Sequence, residues 1–260
     1  MPDNSAHESH LPEGDQAMPL MDHVRELRRR FFYIFLGLAV ATAALMPLMR
    51  PLFDLASKPL MEALPKGAQM LSVGVVAPVL APLKVVLFGA FFVSLPLTVY
   101  QIWKFVSPGL FLREKKTVLP LIFSSMVMFA LGIAYCYFVV FGFLFKFIAG
   151  FAPDSISFAP DIDSYISFAL HMFLAFGLTF EVPVAVVLLS ASGIVTLSGL
   201  KRFRRYLIVL SFGAAAVITP PDVASQLMMA LPLIALYELG ILLSPLFIRK
   251  ARAESEGAQA

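Results

Sequence analysis

Two glutamates stand within strongly basic stretches, where the chemistry open to them is the recognition of cations. Glu26 lies in HVRELRRR (residues 23–30), and Glu114 lies in LREKK (residues 112–116). A carboxylate matches the planar donor fork of a guanidinium, so two carboxylates on one face could bind two arginines. The alternative is that each glutamate only neutralises its basic neighbours, as pairs on one helix face often do. On spacing alone, neutralisation is the favoured interpretation.

A third carboxyl, Glu181, lies in the middle of an otherwise uncharged run of residues, 164–192. A carboxyl at that depth must face the protein interior, a hydrated groove or a partner, or else stay protonated. Pro183 leaves the carbonyl of Thr179 without its helical donor, which predicts a bend. A functional role for Glu181 is favoured over structural pairing. Gln226 and Glu238 are further polar positions in the last span, where the argument for a functional role is weaker.

Catalytic signals are absent from the sequence. It has no H-E-x-x-H, no G-x-S-x-G and no phosphate-cradling G-x-x-x-x-G-K-[ST]. The four histidines lack convincing metal-ligand spacing, and Cys136, the single cysteine, can form no intrachain disulfide. We therefore predict that the protein is not an enzyme and that it needs neither a metal nor a cofactor.

The elements that position these side chains are predicted to be membrane-spanning helices. The 260 residues are 59% hydrophobic and 14% charged, with a mean hydropathy of +0.84, which is typical of a protein whose main solvent is lipid. A helix crosses the hydrocarbon layer in about 20 apolar residues. The predicted spans are 31–49, 79–103, 117–145, 164–192, 206–218 and 223–248. Pro51 is expected to end the first span, and Lys84 to reach the headgroups from the second.

The last two spans follow from an argument about charge. Basic clusters at 201–205 and 249–252 flank the segment between them, and two basic flanks on one side require an even number of crossings. Thr219, Pro220, Pro221 and Asp222 supply the turn. Span five then offers only about 20 Å of helix at 1.5 Å per residue, so this hairpin is expected to thin the bilayer locally.

Orientation follows from the same clusters. With six spans, the basic groups at 25–30, 104–116, 201–205 and 249–252 all fall on one face, which the positive-inside rule makes cytoplasmic. The prediction is an all-α polytopic membrane protein with both termini cytoplasmic, and with proline kinks that curve the bundle. Residues 19–250 form a single membrane domain, between disordered cytoplasmic tails at 1–18 and 251–260.

Five motifs, in this order and spacing, resemble those of the TatC family, the receptor subunit of the twin-arginine protein translocase. They are MDHVRELRRR (21–30), SKPL (57–60), YQIWKFVSPGL (100–110), FEVPV (180–184) and TPPDV (219–223). The resemblance extends from Pro19 to Lys250. Two departures concern contact details: Leu112 and Arg113 stand where relatives often have basic and histidine residues, and the stretch 72–76 lacks an acid that some relatives have.

The resemblance implies a set of site residues. Glu26 and Glu114 would bind the twin arginines of a signal peptide, with Leu27, Arg28 and Phe105 completing that patch. Pro59 would cap the first outer loop. Glu181 and Pro183 would face a concave, partly hydrated groove, and spans five and six, including Gln226, would contact partner subunits.

The resemblance also implies partners and a location. The family exports folded proteins across the bacterial inner membrane using the proton gradient, together with single-span TatA and TatB subunits, other copies of itself and lipid, but no nucleic acid. The alternative is a proton-coupled small-molecule secondary transporter with Glu181 as its proton site. Such transporters usually show repeated halves with broken helices at matching positions, whereas the short segments here occur only near the carboxyl end.

Overall fold

In the part of the chain that the structure describes, the architecture consists of helices joined by short connecting segments. The computed structural model describes residues 20–64, 69–110, 115–151, 159–191, 193–219 and 222–257. Its α-helices are α1 (Leu20–Leu45), α2 (Met49–Ala63), α3 (Ala77–Leu110), α4 (Lys115–Tyr135), α5 (Phe141–Phe151), α6 (Ile162–Phe180), α7 (Val182–Ala191), α8 (Leu197–Ile218) and α9 (Val223–Gly257). A 3₁₀ turn (Met46–Leu48) joins α1 to α2, and a π-helical turn (Cys136–Val140) joins α4 to α5.

Most of these helices are long and apolar enough to cross a membrane. Within the described ranges, five stretches qualify: Val24–Ala63, Ala77–Ile102, Ile122–Gly150, Ile162–Ala191 and Val223–Pro245. Helix α8 does not qualify as a span by itself, because its first half carries the basic cluster 201–205 and its apolar part is only 206–218. The prediction of an all-α membrane protein with a short final hairpin is confirmed. Helix α3 packs against α1, α2 and α6, whereas α9 packs against α7 and α8.

The first outer segment differs from its prediction. Pro51 does not end the first span, because α1 already ends at Leu45 and Pro51 lies in the first turn of α2. An amide at that position has no helical acceptor, so the missing N–H of proline costs nothing there. Pro59 lies inside α2 and is buried, instead of standing at a turn as the resemblance implied. Helix α2 packs on α3 and α5.

Pro59 inside α2 and Pro232 inside α9 each free a carbonyl, and a tyrosine hydroxyl in or just before the π-helical turn reaches each of these oxygens. Pro59 leaves the carbonyl of Leu55, four residues earlier, without its helical donor, and the Tyr137 hydroxyl donates to that oxygen at 3.0 Å. Pro232 frees the carbonyl of Met228 in the same way, and Tyr135 donates to it over a longer 3.4 Å. The π-helical turn and the residue before it therefore connect α2 with α9 through hydrogen bonds to the carbonyls that two prolines free.

The core lies where α4, its π-helical turn and α5 pack on α6. Its fully buried large side chains include Val140, Phe141, Leu144, Ile166, Met172 and Phe176. Helices α4 and α6 approach so closely at Gly132 that a Cβ there would fall on the carbonyl oxygen of Phe176 and 2.9 Å from the Cα of Gly177. Small residues allow such close contacts in membranes, where packing replaces the hydrophobic drive.

The end of the bundle near α2 is held by polar contacts between α3 and α6. Lys84 does not depend on the headgroups, because its Nζ donates to Asp163 Oδ1 at 2.7 Å and to Ser167 Oγ at 2.9 Å. The loop that precedes α3 is joined to the start of α6 by main-chain hydrogen bonds. Leu71 N donates to Pro160 O at 3.0 Å, and Ile162 N donates to Leu71 O at 2.9 Å. Asp161 Oδ1 accepts the N–H of Val73 at 3.2 Å, which completes the connection.

The contact at Gly132 predicts opposite effects for two glycine substitutions. Gly132→Ala is expected to lower the free energy of unfolding by about 1–3 kcal/mol, because the new methyl group overpacks a backbone contact. Gly142→Ala meets no atom within 4 Å and should stabilise its helix by up to about 1 kcal/mol. Thermal unfolding of both variants in detergent measures the difference, and equal effects would contradict the close approach.

The loop connection predicts a pH dependence. The N–H and hydroxyl of Ser164, with the N–H of Val73, donate to Asp161 and lower its pKa below the ordinary value. The bond to Val73 is therefore expected to persist down to the ordinary pKa of Asp, about 3.9, and to be lost as the pH falls further, through the lowered pKa. The measurement is the hydrogen-exchange protection factor of the Val73 amide. Protection in Asp161→Asn should not vary with pH, and wild-type loss already between pH 6 and 5 would refute the assignment.

Candidate functional site

Glu26 lies at the basic end of the bundle, in the part of α1 that continues the predicted first span. Since α1 begins at Leu20, the basic motif is helical, and Glu26 and Arg30 are one turn apart on the same face. Arg30 Nη2 donates to Glu26 Oε1, and Arg30 Nη1 donates to Gln101 Oε1 on α3 at 3.4 Å. These three side chains join α1 to α3, and Glu26 has an intramolecular arginine partner, as the neutralisation alternative expected.

The two members of this ion pair are buried to different extents. The side chain of Arg30 is 10% exposed, whereas that of Glu26 is 26% exposed. Among the described residues, no atom accepts a hydrogen bond from Arg30 Nε. A buried guanidinium needs a counter-ion, because moving a charge out of water is costly. Glu26 therefore stabilises the contact between α1 and α3, and its side chain remains partly exposed.

The other residues assigned to this patch differ in how far they can be described. Leu27 and Arg28 are exposed on the surface of α1. Phe105 belongs to α3, but its side chain lies outside the described residues, as does the whole of Glu114. Sequence reasoning missed Gln101. Its position at the end of an apolar run, one helical turn before Phe105, could have indicated a polar contact there.

Glu181 stands at the break in the fourth span. Helix α6 ends at Phe180 and α7 begins at Val182, so the expected interruption is present. Pro183 is buried in the first turn of α7, where it needs no amide hydrogen. Ser125 Oγ on α4 donates to Glu181 Oε2. The carboxyl is half-buried and is held against α4 by a hydroxyl.

An apolar cavity of ≈ 410 Å³ lies between α4 and α9, near this break. Its lining consists of Tyr135, Leu227, Met228, Leu231, Pro232 and Ala235. Glu181 does not line the cavity. Its neighbour Phe180 packs against Tyr135, a lining residue of the cavity, with 5.6 Å between the two ring centroids.

Gln226 and Asp222 organise the hairpin of α8 and α9. Asp222 precedes α9, and its Oδ1 accepts the N–H of Ser225 at 2.7 Å, which caps the helix. Gln226 Nε2 donates across the hairpin to the carbonyl of Phe212 at 3.1 Å. Both residues stabilise the hairpin itself, and Pro220 and Pro221 lie outside the described residues.

The basic end of the same hairpin is held by an exposed ion pair. Arg204 Nη2 donates to Glu238 Oε2 at 2.6 Å, and the Tyr237 hydroxyl donates to Leu200 O at 2.9 Å. Glu238, which the sequence left as a weak candidate, is therefore engaged between α8 and α9. Within the described ranges, no group of three His, Cys, Asp or Glu side chains could hold a metal ion.

Comparison with known proteins decides the family. The profile described as Sec-independent protein translocase protein (TatC) matches residues 22–232. The chain belongs to the TatC family. A relative named Sec-independent protein translocase protein TatC from Halothiobacillus neapolitanus is 44% identical over 92% of this chain and 66% of its own length. Another of that name from Haemophilus influenzae is 40% identical over 88% of this chain and 90% of its own length.

A solved member of the TatC family shares the fold. The crystal structure named Twin Arginine Translocase Receptor- TatC superposes with a TM-score of 0.74 at 32% identity, over 86% of this chain and 99% of that one. With the apolar helices above, the family makes this chain a multi-pass membrane protein and a component of a protein translocase. These relatives give no support to the alternative of a small-molecule transporter.

The burial of Arg30 predicts unequal costs for two charge-removing substitutions. Glu26→Gln is expected to lower the free energy of unfolding by about 1–3 kcal/mol, because it leaves a buried guanidinium without a counter-charge. Glu238→Gln removes the same charge from a pair that is almost half exposed on both sides, and should cost less than about 1 kcal/mol. Denaturation of both variants in one detergent gives the comparison. Equal losses would mean that Arg30 is solvated.

Proposed function

We propose that this chain is the receptor subunit of a twin-arginine translocase, and that the two arginines of a signal peptide bind Glu26 and Glu114 on its cytoplasmic face. The single observation that carries this proposal is the contact between Glu26 and Arg30. It supports the proposal because a carboxylate at this position already accepts a guanidinium. The printed name of the solved relative, a twin-arginine translocase receptor, agrees with it.

The surroundings of Glu26 suit selection by charge pattern. Arg25, Arg28 and Arg29 are exposed around it, so a cationic ligand is repelled except where it meets a carboxylate. Leu27 is exposed on the same helix and offers an apolar contact beside the arginines. Phe105 and Glu114 are assigned to this patch by the family resemblance alone.

Transport is assigned to the rest of the bundle. In this proposal the translocase exports folded proteins across the bacterial inner membrane using the proton-motive force, with TatA- and TatB-type single-span subunits, further copies of this chain and lipid. The apolar cavity on α9 offers a surface for an apolar helix, and the short apolar part of α8 suits assembly in a thinned bilayer. Gln226, beside these elements, and Glu181, with Pro183 at the helix break, would face the groove and contact the partner subunits.

The receptor role predicts a specific loss of peptide binding. Glu26→Gln and Glu114→Gln are each expected to weaken binding of a twin-arginine signal peptide about tenfold or more, because each removes a charged hydrogen bond of about 1.5–3 kcal/mol. The measurement is fluorescence anisotropy of a labelled peptide, titrated with the purified chain in lipid nanodiscs. A peptide with two lysines in place of the arginines should bind weakly to every protein tested.

Glu238→Gln is the matched control for this experiment. It removes one carboxylate from the basic end of α9, where Arg204 pairs with it, and should bind the twin-arginine peptide as the wild type does. Undiminished binding by both Glu26→Gln and Glu114→Gln would overturn the receptor site.

A further inference from the structure

A cluster of basic and aromatic side chains in the first half of α8 takes no part in the contacts of Glu26. Its members are consecutive and exposed: Lys201, Arg202, Phe203, Arg204, Arg205 and Tyr206. Helix α8 itself contains no acidic residue. Among the described residues, the ion pair of Arg204 with Glu238 is the only one that this cluster makes. The other basic residues of the cluster are therefore open to an anionic ligand.

Helix geometry turns these other basic residues away from the packed side of α8. That side carries the buried Leu200 and Leu207 and packs chiefly against α9. Arg204 lies on the same side, where it meets Glu238. The remaining cations are spaced three and four residues apart, which places them together on the opposite side of the helix. These outward cations are Lys201, Arg202 and Arg205.

Arg205 is held in place by its neighbour Tyr206. The Nη2 atom of Arg205 donates to the hydroxyl oxygen of Tyr206 at 3.0 Å, and the guanidinium carbon lies 4.8 Å from the centroid of that ring. Contacts with both the ring and the hydroxyl restrict the side chain, so less of its freedom is lost when a ligand binds. A guanidinium has several further N–H donors, and these remain for an anion.

The outward side of α8 continues as an apolar surface. Val209, one turn beyond Arg205, is 73% exposed, and Val217, two turns further, is 87% exposed. The whole segment 206–218 carries no charged side chain. A ligand with an anionic group at the basic end and hydrocarbon chains along α8 fits both parts of this surface. An acidic protein segment would match the cations alone.

We propose that the outward cations, with Tyr206, bind the headgroup of an anionic phospholipid whose acyl chains lie along the apolar surface of α8. Arg202 and Arg205 donate hydrogen bonds to the phosphate oxygens, and Lys201 adds a third positive charge. The inference goes beyond the receptor role and does not depend on Glu26.

Charge selects among the phospholipids at this site. The planar donor fork of arginine matches the oxygens of a phosphate. Phosphatidylglycerol keeps the full negative charge of its phosphate, whereas phosphatidylcholine carries a trimethylammonium group that the outward cations repel. Each basic residue near the membrane surface adds to the attraction for an anionic lipid. The site therefore prefers phosphatidylglycerol to phosphatidylcholine.

The test measures this preference with a local probe. Val209→Trp places a tryptophan one turn from Arg205, and Trp103→Phe removes the only native tryptophan. The full-length chain with these two changes, the parent protein, is reconstituted in vesicles of phosphatidylcholine. Phosphatidylglycerol or phosphatidylcholine with brominated acyl chains is then included in increasing fractions. Bromine quenches tryptophan on contact, so the two quenching curves give the binding constant of one lipid relative to the other at this surface.

The parent protein is expected to bind phosphatidylglycerol at least about tenfold more tightly than phosphatidylcholine. Arg202→Gln and Arg205→Gln should each lower this preference about fivefold, because each removes one outward cation. Tyr206→Leu leaves the charge unchanged and should lower the preference about twofold, through the loss of the contact that holds Arg205.

Two controls separate a site from general electrostatics. Arg50→Gln removes the same charge from an exposed position on α2 and should leave the preference unchanged. The double variant Arg204→Gln/Glu238→Gln removes the neighbouring cation together with its partner, so the net charge is kept, and it too should bind as the parent does. A loss in Arg50→Gln equal to that in Arg205→Gln would overturn the inference.

The remaining outcomes identify the ligand. Equal quenching of the parent protein by the two brominated lipids would overturn the inference and leave the cluster as a surface for an acidic protein. Inorganic phosphate is added against sodium chloride of equal ionic strength, and the two should relieve the quenching by phosphatidylglycerol equally. Greater relief by phosphate would mean a site for free phosphate instead of a lipid. An unchanged preference in Tyr206→Leu would overturn the assignment of Tyr206 to the site.

Discussion

A helix in lipid must satisfy every backbone carbonyl from within the protein, and that constraint governs this structure. Pro59 inside α2 and Pro232 inside α9 each remove one amide donor. The hydroxyl of Tyr137, in the π-helical turn, replaces the donor lost at Pro59, and the hydroxyl of Tyr135, just before that turn, lies 3.4 Å from the carbonyl oxygen that Pro232 frees. Helix α2 and the long final helix α9 are thus connected to the centre of the bundle through the carbonyls that Pro59 and Pro232 free.

Charged side chains at the two ends of the bundle are likewise neutralised by partners within the protein. Lys84 is neutralised by Asp163 between α3 and α6, Arg204 by Glu238 between α8 and α9, and Arg30 by Glu26 between α1 and α3. The last two pairs stand at the basic end. Of these, only the pair at Glu26 combines a buried cation with a partly exposed anion, and this is where we propose the receptor site.

Much of this fold could be predicted from the sequence because lipid imposes long apolar runs, and helices follow from them. The run containing Glu181 also predicted its own interruption, since a proline follows two residues later. Helix α2 was missed because its amphipathic sequence with Pro51 and Pro59 looks like a loop when each proline is taken as a breaker. A proline is harmless in a first turn, and inside a helix it is tolerated when a distant hydroxyl replaces the lost donor. That donor, Tyr137, is 82 residues from Leu55 in sequence, beyond any local pattern.

In the candidate site, too, one part could be predicted from the sequence and another depended on tertiary packing. The motif around Glu26 was visible as an acid among arginines, but the choice of Arg30 as its partner depends on which face of α1 packs on α3. Gln101 enters the site only through that packing. Sequence reasoning therefore found the anion, and the tertiary structure identified the cation that occupies it.

The burial of Cys136 gives this protein a useful experimental property. It is the only cysteine in the chain, and its side chain is fully enclosed in the π-helical turn. Water-soluble thiol reagents cannot reach it, so a cysteine introduced on the surface of α1 or α3 would carry a label alone. The natural sequence thus provides a silent background for distance measurements between labels on α1 and α3, because the native cysteine need not be replaced first.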